Sequence, residues 1–137
     1  MDLESWSPAA RGLRDHVRLV AAELGCSGEA FWVQTEAPVS AYLPLEQRLH
    51  GFPDRDAALL WDPTHGWSAA IEAGTRDEPL VVTYLGGDVL PEPAAVASFV
   101  ADLVAGRPTG EIAPPVFDTD GLADRLAEHA PILRPAV

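Results

Sequence analysis

Residues 57–73 read AALLWDPTHGWSAAIEA, and this stretch has the pattern of two β-strands joined by a turn. Two short, largely apolar runs, AALLW and WSAAIEA, flank the sequence DPTHG. Asp-Pro followed by glycine is typical of a tight turn, and a loop of this length joins antiparallel strands. The stretch therefore predicts a hairpin in which Trp61 lies opposite Trp67 and Leu59 lies opposite Ala69.

Three further runs extend the hairpin into a larger sheet. AFWVQTE (30–36) and VSAYLPL (39–45) precede it, and LVVTYL (80–85) follows after the short loop GTRDEP. Their β-branched and aromatic residues are typical of strands. Pro44 has no N–H to give to a neighbouring strand, so the second run is an edge strand or ends there. The sequence predicts about five antiparallel strands.

Helical patterns flank the strands on both sides. Ser7 can cap a helix whose first turn contains Pro8, and Gly25 can end it. Within this helix the apolar residues recur every three or four positions, at Leu13, Val17, Val20 and Leu24. AAVASFVADLVAG forms a second helix before Gly106. The order α-β-β-β-β-β-α predicts an α+β domain in which an antiparallel sheet packs against N- and C-terminal helices in two layers.

Residues 107–137 are expected to lie outside the domain formed by residues 1–106. RPTGEIAPPVFDTD has the composition of a proline-rich linker. In DGLADRLAEHA, Leu122 and Leu126 fall on one side of a helix, which predicts a short amphipathic C-terminal helix.

The strand pattern divides the central sheet into two faces. Because side chains alternate along a strand, the hairpin register defines a first face with these members: Leu59, Trp61, Trp67, Ala69, Ile71 and Ala73. Pairing Ala73 with Leu80 adds Leu80, Val82 and Tyr84 to it. The second face then carries Ala58, Leu60, Ser68, Ala70, Glu72, Val81, Thr83 and Leu85. The helices are expected to cover the first face.

The second face consists of small and half-apolar residues, whereas a solvated face normally alternates cleanly with polar residues. We expect it to be a docking surface for a partner, centred on Leu60, Ala70, Thr83 and Leu85. Two alternatives remain open. The C-terminal helix could fold back over this face, or a one-residue slip in register could exchange the two faces.

The composition favours an acidic cytoplasmic protein. Nine basic residues, all arginines, stand against 21 acidic ones, giving a net charge of −12. Nucleic acids and acidic membranes attract clusters of basic residues, so neither is an expected partner. No secretory signal or membrane-spanning run is visible at sequence level, and the lone Cys26 excludes an internal disulfide.

Two glycines in YLGGDVLPEP (84–93) raise the question of a phosphate site, because backbone amides at a helix start can bind anions. Pro91 and Pro93 remove two such amides, and Asp88 would repel a phosphate. Gly86 and Gly87 are better explained as residues with positive φ that turn the chain out of the sheet.

Few residues suggest chemistry. Asp62 and His65 could be two ligands of a metal in a metal-assisted enzyme, but Asp-Pro-x-x-Gly is also ordinary turn sequence. Trp61, Trp67 and Tyr84 could line a pocket for a small molecule, or the tryptophans could be core residues under a helix. We predict no catalytic residue, metal site or cofactor.

Three segments, LRDHVRLVAAELG (13–25), ALLWDPTHGWSAAIE (58–72) and YLGGDVLPEPAAVASFVADLVAG (84–106), together resemble a family of small, uncharacterised actinobacterial proteins. The resemblance covers about residues 10–106. It implies a cytoplasmic protein from a GC-rich bacterium, and it implies no activity and no catalytic residues.

The leading hypothesis is a non-enzymatic protein-interaction or regulatory module that acts as a homodimer or within a protein complex. It follows from the second face, the acidic composition and the lack of a recognisable catalytic motif. A small-molecule binding domain is the alternative, and a metal-assisted enzyme is the third.

Overall fold

The computed structural model describes residues 1–26, 31–74 and 78–130. These residues form an open five-stranded antiparallel sheet with one helix before it and two after it, which confirms the α+β arrangement. The elements are α1 (Pro8–Glu23), β1 (Trp32–Gln34), β2 (Ser40–Pro44), β3 (Ala57–Asp62), β4 (Gly66–Ile71), β5 (Leu80–Tyr84), α2 (Pro93–Ala105) and α3 (Leu122–Glu128). None of the helices in the described ranges has the length and apolar character needed to cross a membrane.

Helix α1 begins and ends where its sequence predicts. The Ser7 hydroxyl accepts a hydrogen bond from the Ala10 N–H at 3.1 Å, and Pro8 occupies the first turn. This cap satisfies one of the amide groups that a helix start leaves unpaired. Leu24 is the C-cap, and Gly25 follows with a φ of 73°. The helix buries its apolar stripe against the sheet, with Leu13, Val17 and Val20 fully inaccessible to solvent.

The sheet is a meander in which each strand pairs with its sequence neighbours. Trp61 lies opposite Trp67 and Leu59 lies opposite Ala69, so the predicted register of the central hairpin is confirmed. Strand β2 pairs on both sides and ends at Pro44, which still lies opposite Ala58.

The predicted register of β5 is wrong. Leu80 pairs with Ile71, not with Ala73, and an irregularity follows between Ala69 and Ala70 of the partner strand. Val81 lies opposite Ala70 and Thr83 lies opposite Ala69, so Val82 is an extra residue with no partner of its own. Such a β-bulge shifts the alternation of side chains by one position, and the residues after Val82 therefore exchange faces.

The three helices form one layer on the first face. Helices α2 and α3 both pack against α1, and the α1 side chain His16 reaches the first-face residue Trp67. Helix α3 buries Leu122 and Leu126 in this layer. A Cβ atom at Gly12 would overlap the carbonyl group of Leu126, so the two helices touch through a glycine. Within the described residues, the alternative in which the C-terminal helix covers the second face is therefore wrong.

Residues 107–121, which we call the strap, run past the free edge of β5 to reach α3. Glu111 and Tyr84 exchange backbone hydrogen bonds of 2.7 and 2.8 Å, which closes part of that edge. Farther along, the Phe117 N–H donates to the Thr64 carbonyl in the β3–β4 turn at 2.8 Å. The proline-rich segment is thus held against the sheet at both ends.

The glycine pair after β5 turns the chain from the sheet towards α2. Gly86 and Gly87 have φ values of 75° and 76°, which confirms the positive φ predicted for them. One carboxylate oxygen of Asp88 accepts the Leu90 N–H at 3.1 Å, and the side chain of Arg125 on α3 pairs with the same carboxylate. The Asp88 side chain therefore binds a backbone N–H and an arginine of the protein itself.

Candidate functional site

The second face of the sheet has a buried floor of small residues and walls of larger ones. The floor consists of Ala58, Ser68 and Ala70, which are at most 4% exposed. The walls consist of Tyr42, Leu60 and Tyr84. These residues lie in one row across the strands, because Leu60 is opposite both Tyr42 and Ser68, and Ser68 is opposite Tyr84. These larger side chains are half-buried. The face is uneven and partly apolar, as a protein-binding surface often is.

The structure separates the four residues that were expected to form a docking surface. Leu60 and Ala70 lie on the second face as predicted. Thr83 lies on the first face, where its hydroxyl donates to the Glu111 carbonyl at 3.0 Å. Leu85 follows two residues later on the same side and packs against the core. The bulge at Val82 is the physical reason for this correction.

Val81 and Tyr84 occupy the places on the second face that Thr83 and Leu85 were expected to fill. Val81 is 39% exposed and lies opposite Ala70, while Tyr84 lies opposite Ser68. The run LVVTYL contains no glycine that would mark a bulge, so the sequence carries no signal for this exchange.

Trp61, Trp67 and Tyr84 do not line a common pocket. Both tryptophans are 1% exposed and lie beneath the helix layer. The Trp61 indole N–H donates to the Val89 carbonyl at 2.8 Å, and the Trp67 indole N–H donates to His16 at 3.0 Å. Because of the bulge, Tyr84 faces the opposite side of the sheet. The aromatic pair is therefore part of the core.

His16 is a buried ionisable residue that the sequence did not single out. Its Nε2 atom accepts the hydrogen bond from Trp67, and its ring contacts that of His129 in an edge-on arrangement with centroids 5.7 Å apart. Burial, together with a smaller effect of the nearby His129, lowers the pKa of His16 to about 4, against weaker opposing effects of Asp15 and Asp88. The imidazole is therefore neutral in the folded protein at neutral pH.

Asp62 and His65 have structural partners in the β3–β4 turn. One Asp62 oxygen accepts the backbone N–H groups of Thr64 and His65, each at 2.8 Å. The Nδ1 atom of His65 lies 2.7 Å from the Pro115 carbonyl of the strap. Among the described residues, no group of three or more histidine, cysteine, aspartate or glutamate side chains is arranged to hold a metal ion.

Two hollows adjoin the second face and share a hydrogen-bonded pair of lining residues, and we call the two hollows together the groove. The Tyr42 hydroxyl donates to a Glu72 carboxylate oxygen, and both residues line both hollows. One hollow, of about 540 Å³, is also bordered by Trp32, Leu60 and the β4–β5 connection at Glu78. The other, of about 700 Å³, extends to residues 54–56 of the loop before β3 and to Ala57 at the start of that strand.

Burial and the bond to Glu72 shape the chemistry at the centre of the groove. Burial and, to a lesser extent, the hydrogen bond to Glu72 together raise the pKa of Tyr42 to about 12. Tyr42 therefore remains a neutral donor, and Glu72 keeps at least one carboxylate oxygen for another partner. Alternation along the strand predicts Glu72 on the second face together with Ala70, but it does not predict the contact with Tyr42, which joins residues thirty positions apart.

The sequence comparisons give a family but no activity. Residues 16–102 match a family described as "Family of unknown function (DUF6292)". This range lies inside residues 10–106, where the resemblance was expected. No curated protein and no solved structure shows significant similarity to the chain.

Proposed function

Because the chain belongs to DUF6292, a family of unknown function, its role must be inferred from its surfaces, and we propose that it is a non-enzymatic protein-interaction module. In this proposal the module acts within a protein complex and binds its partner through the second face of the sheet. The observation that carries the proposal is the division of the sheet: the described helices all pack on the first face, and none packs on the second.

The exposed residues of the second face support this role. Trp32 at the β1 edge is 57% exposed, and Val81 on β5 is 39% exposed. The same face carries the half-buried side chains of Tyr42, Leu60 and Tyr84. Tyrosine and tryptophan are enriched where proteins bind one another, since they combine a large apolar surface with a polar group.

The size of the face sets how much of an interface it can supply by itself. Five strands about 4.8 Å apart, each about five residues long, cover roughly 24 by 17 Å, or about 400 Å². A standard interface buries about 800 Å² on each partner. The partner would therefore also contact the rim of the face, or the complex would be a transient one.

The proposal is tested by capturing partners from the source cells with three purified baits. These are the natural protein, a Leu60→Arg variant, and a Leu19→Arg control. Leu60 stands in the middle of the second face, whereas Leu19 is 37% exposed on the outer side of α1. The expected result is a stoichiometric protein, identified by mass spectrometry, that Leu19→Arg retains and Leu60→Arg loses.

Equal recovery with all three baits, or loss with Leu19→Arg alone, would contradict the proposal. Circular dichroism and thermal melting of each bait must first establish that the variants fold. An arginine on an exposed sheet face can extend into solvent, so we expect both variants to remain folded.

A homodimer is the second form that this module could take. It is favoured by the alternation of small residues, Ala58, Ser68 and Ala70, with larger ones, Tyr42 and Leu60, because two such surfaces can interdigitate across a two-fold axis. Sedimentation velocity at micromolar concentration distinguishes the two forms. A dimer that Leu60→Arg converts to monomer would support self-association.

The proposal includes a bacterial, cytoplasmic setting. The basic residues are all arginines, which suits a GC-rich genome, and Cys26 has no second cysteine in this sequence with which to form a disulfide. Fractionation of the source cells, followed by immunodetection of the protein, is the direct check.

A further inference from the structure

The groove on the second face combines aromatic surface with carboxylates. Trp32 and Tyr42 provide the aromatic surface, and Glu72 lies between the two hollows. Aromatic ring faces and carboxylates are the two protein groups that attract organic cations most strongly. An apolar partner would gain from the rings alone, but it would have to desolvate the carboxylates without pairing them.

The charges around the groove are unbalanced. Its carboxylates, from both hollows, are Asp54, Asp56, Asp62, Glu72 and Glu78. The cationic residue among the described lining residues is Arg55. Its guanidinium donates to the backbone carbonyls of Glu72 and Ala73, so it is held at the end of β4.

Residues near the groove neutralise little of its excess negative charge. Arg48 reaches one oxygen of Asp56 at 3.5 Å, and both side chains are largely exposed. Residues 75–77 lie outside the described part of the chain, and their sequence, Thr-Arg-Asp, adds one charge of each sign. The groove therefore has a net negative charge within an already acidic protein.

We infer that the groove binds an arginine- or lysine-bearing segment of the partner protein. This inference rests on the proposed function, since it specifies the chemistry of what docks on the same face. A second copy of the chain fits less well, because a two-fold contact would bring two sets of these carboxylates together.

A basic side chain can engage both parts of the site. A guanidinium over the exposed Trp32 ring would gain a cation–π contact and could extend its N–H groups towards Glu78 or Glu72, which border the same hollow. A second cation, farther along an extended segment, would reach the hollow lined by Asp54 and Asp56. Because each hollow has carboxylates of its own, the site favours a segment with two basic residues.

The test titrates the natural protein, labelled with ¹⁵N, with the peptide acetyl-Gly-Arg-Gly-Arg-Gly-amide and follows its NMR spectrum. The expected result is a saturable shift of the Trp32 indole N–H and of the backbone amides of Tyr42, Leu60 and Glu72. The same peptide with citrulline in place of arginine keeps the shape but lacks the charge, and it should cause no saturable shift.

Paired variants separate the groove from general attraction to an acidic protein. Glu72→Gln combined with Glu78→Gln removes two groove carboxylates and should weaken peptide binding about three- to tenfold. Glu92→Gln combined with Glu128→Gln removes two exposed charges outside the groove and should leave binding within about twofold. Chemical shifts far from each substitution check that the fold is retained.

Several outcomes would overturn the inference. These are equal weakening by both pairs of substitutions, equal binding of the citrulline peptide, or shifts spread over the acidic surface without saturation. If Leu60→Arg still abolishes capture of a partner while the arginine peptide fails to bind, the proposed docking face is supported. The inference that this face binds a basic segment is then wrong.

Discussion

The neutral ring of His16 shows how a single buried side chain links α1 to the sheet. It accepts the hydrogen bond of the Trp67 indole, so the tryptophan can be fully buried without leaving its N–H unpaired. An unpaired buried donor would cost about 1–3 kcal/mol. The cost of this arrangement is that His16 cannot be protonated easily in the folded state. Its ring faces Trp67 and His129, with the carboxylates of Asp15 and Asp88 near enough to act on its charge.

We predict that His16 makes the stability depend on pH below neutrality. Its pKa is about 4 in the folded protein and about 6.5 when unfolded, so the unfolded state binds more protons between these values. The free energy of unfolding should therefore fall as the pH drops through this window, by about 1 kcal/mol from pH 7.5 to pH 5.5. Urea titrations at a series of pH values measure this change.

His16→Gln provides the comparison for this measurement, because glutamine can still accept the Trp67 N–H and does not titrate. Its free energy of unfolding should vary less with pH over the same range. His50→Gln, which changes an exposed histidine, should keep the dependence of the natural protein. If His16→Gln and the natural protein lose stability equally on acidification, His16 is not the source of the effect.

Strand β5 marks the limit of what the sequence could predict about the elements. The starts and ends of α1, β3 and β4 follow from local signals such as the Ser7 cap and the Asp-Pro turn, and these were predicted closely. A bulge depends on how β5 meets its neighbour, and the run LVVTYL contains nothing that specifies it. The docking residues after Val82 were misplaced for this reason.

The contacts between helices were the other feature of the fold that local sequence patterns could not predict. The amphipathic pattern predicted α3, but not that it packs on α1. Gly12, in the middle of α1, could have indicated that another segment packs closely against this helix. A glycine in the middle of a helix costs about 0.5–1 kcal/mol relative to alanine, so it calls for a reason, and here the reason is the close approach of the Leu126 carbonyl.

The bulge predicts opposite outcomes for two neighbouring lysine substitutions. Thr83 and Val81 are two residues apart and would share a face in a regular strand. In the structure, Thr83 is 6% exposed on the first face, whereas Val81 is 39% exposed on the second. Thr83→Lys should therefore lower the free energy of unfolding by about 3 kcal/mol or more, because it buries an unpaired charge. Val81→Lys should change it by less than about 1 kcal/mol.

Urea denaturation of the two variants at pH 7.5 gives both values under one condition. Similar losses in the two variants would mean that the strand is regular and that the two residues share a face. A larger loss for Val81→Lys than for Thr83→Lys would also contradict the bulged register, because it would place Val81, and not Thr83, on the face that the helices cover.

The whole molecule is a sheet with one face covered by helices and the other bordered by a negatively charged groove. Most of the apolar core lies between the sheet and α1, α2 and α3. The strap closes part of the β5 edge and brings α3 to the helix layer. These arrangements leave the second face as the broad surface of the sheet without a covering element in the described residues, which is why the proposed partner is placed there.

Hydroxyl-radical footprinting of the protein alone and in its captured complex tests this claim most directly. Trp32 and Tyr42 lie on the second face, while Trp6 and Ile112 are 83% and 90% exposed elsewhere and serve as internal references. We predict that the complex protects Trp32 and Tyr42 from oxidation and leaves Trp6 and Ile112 as reactive as in the free protein. Protection of Trp6 or Ile112, with Trp32 and Tyr42 unchanged, would mean that the partner binds elsewhere and not on the second face.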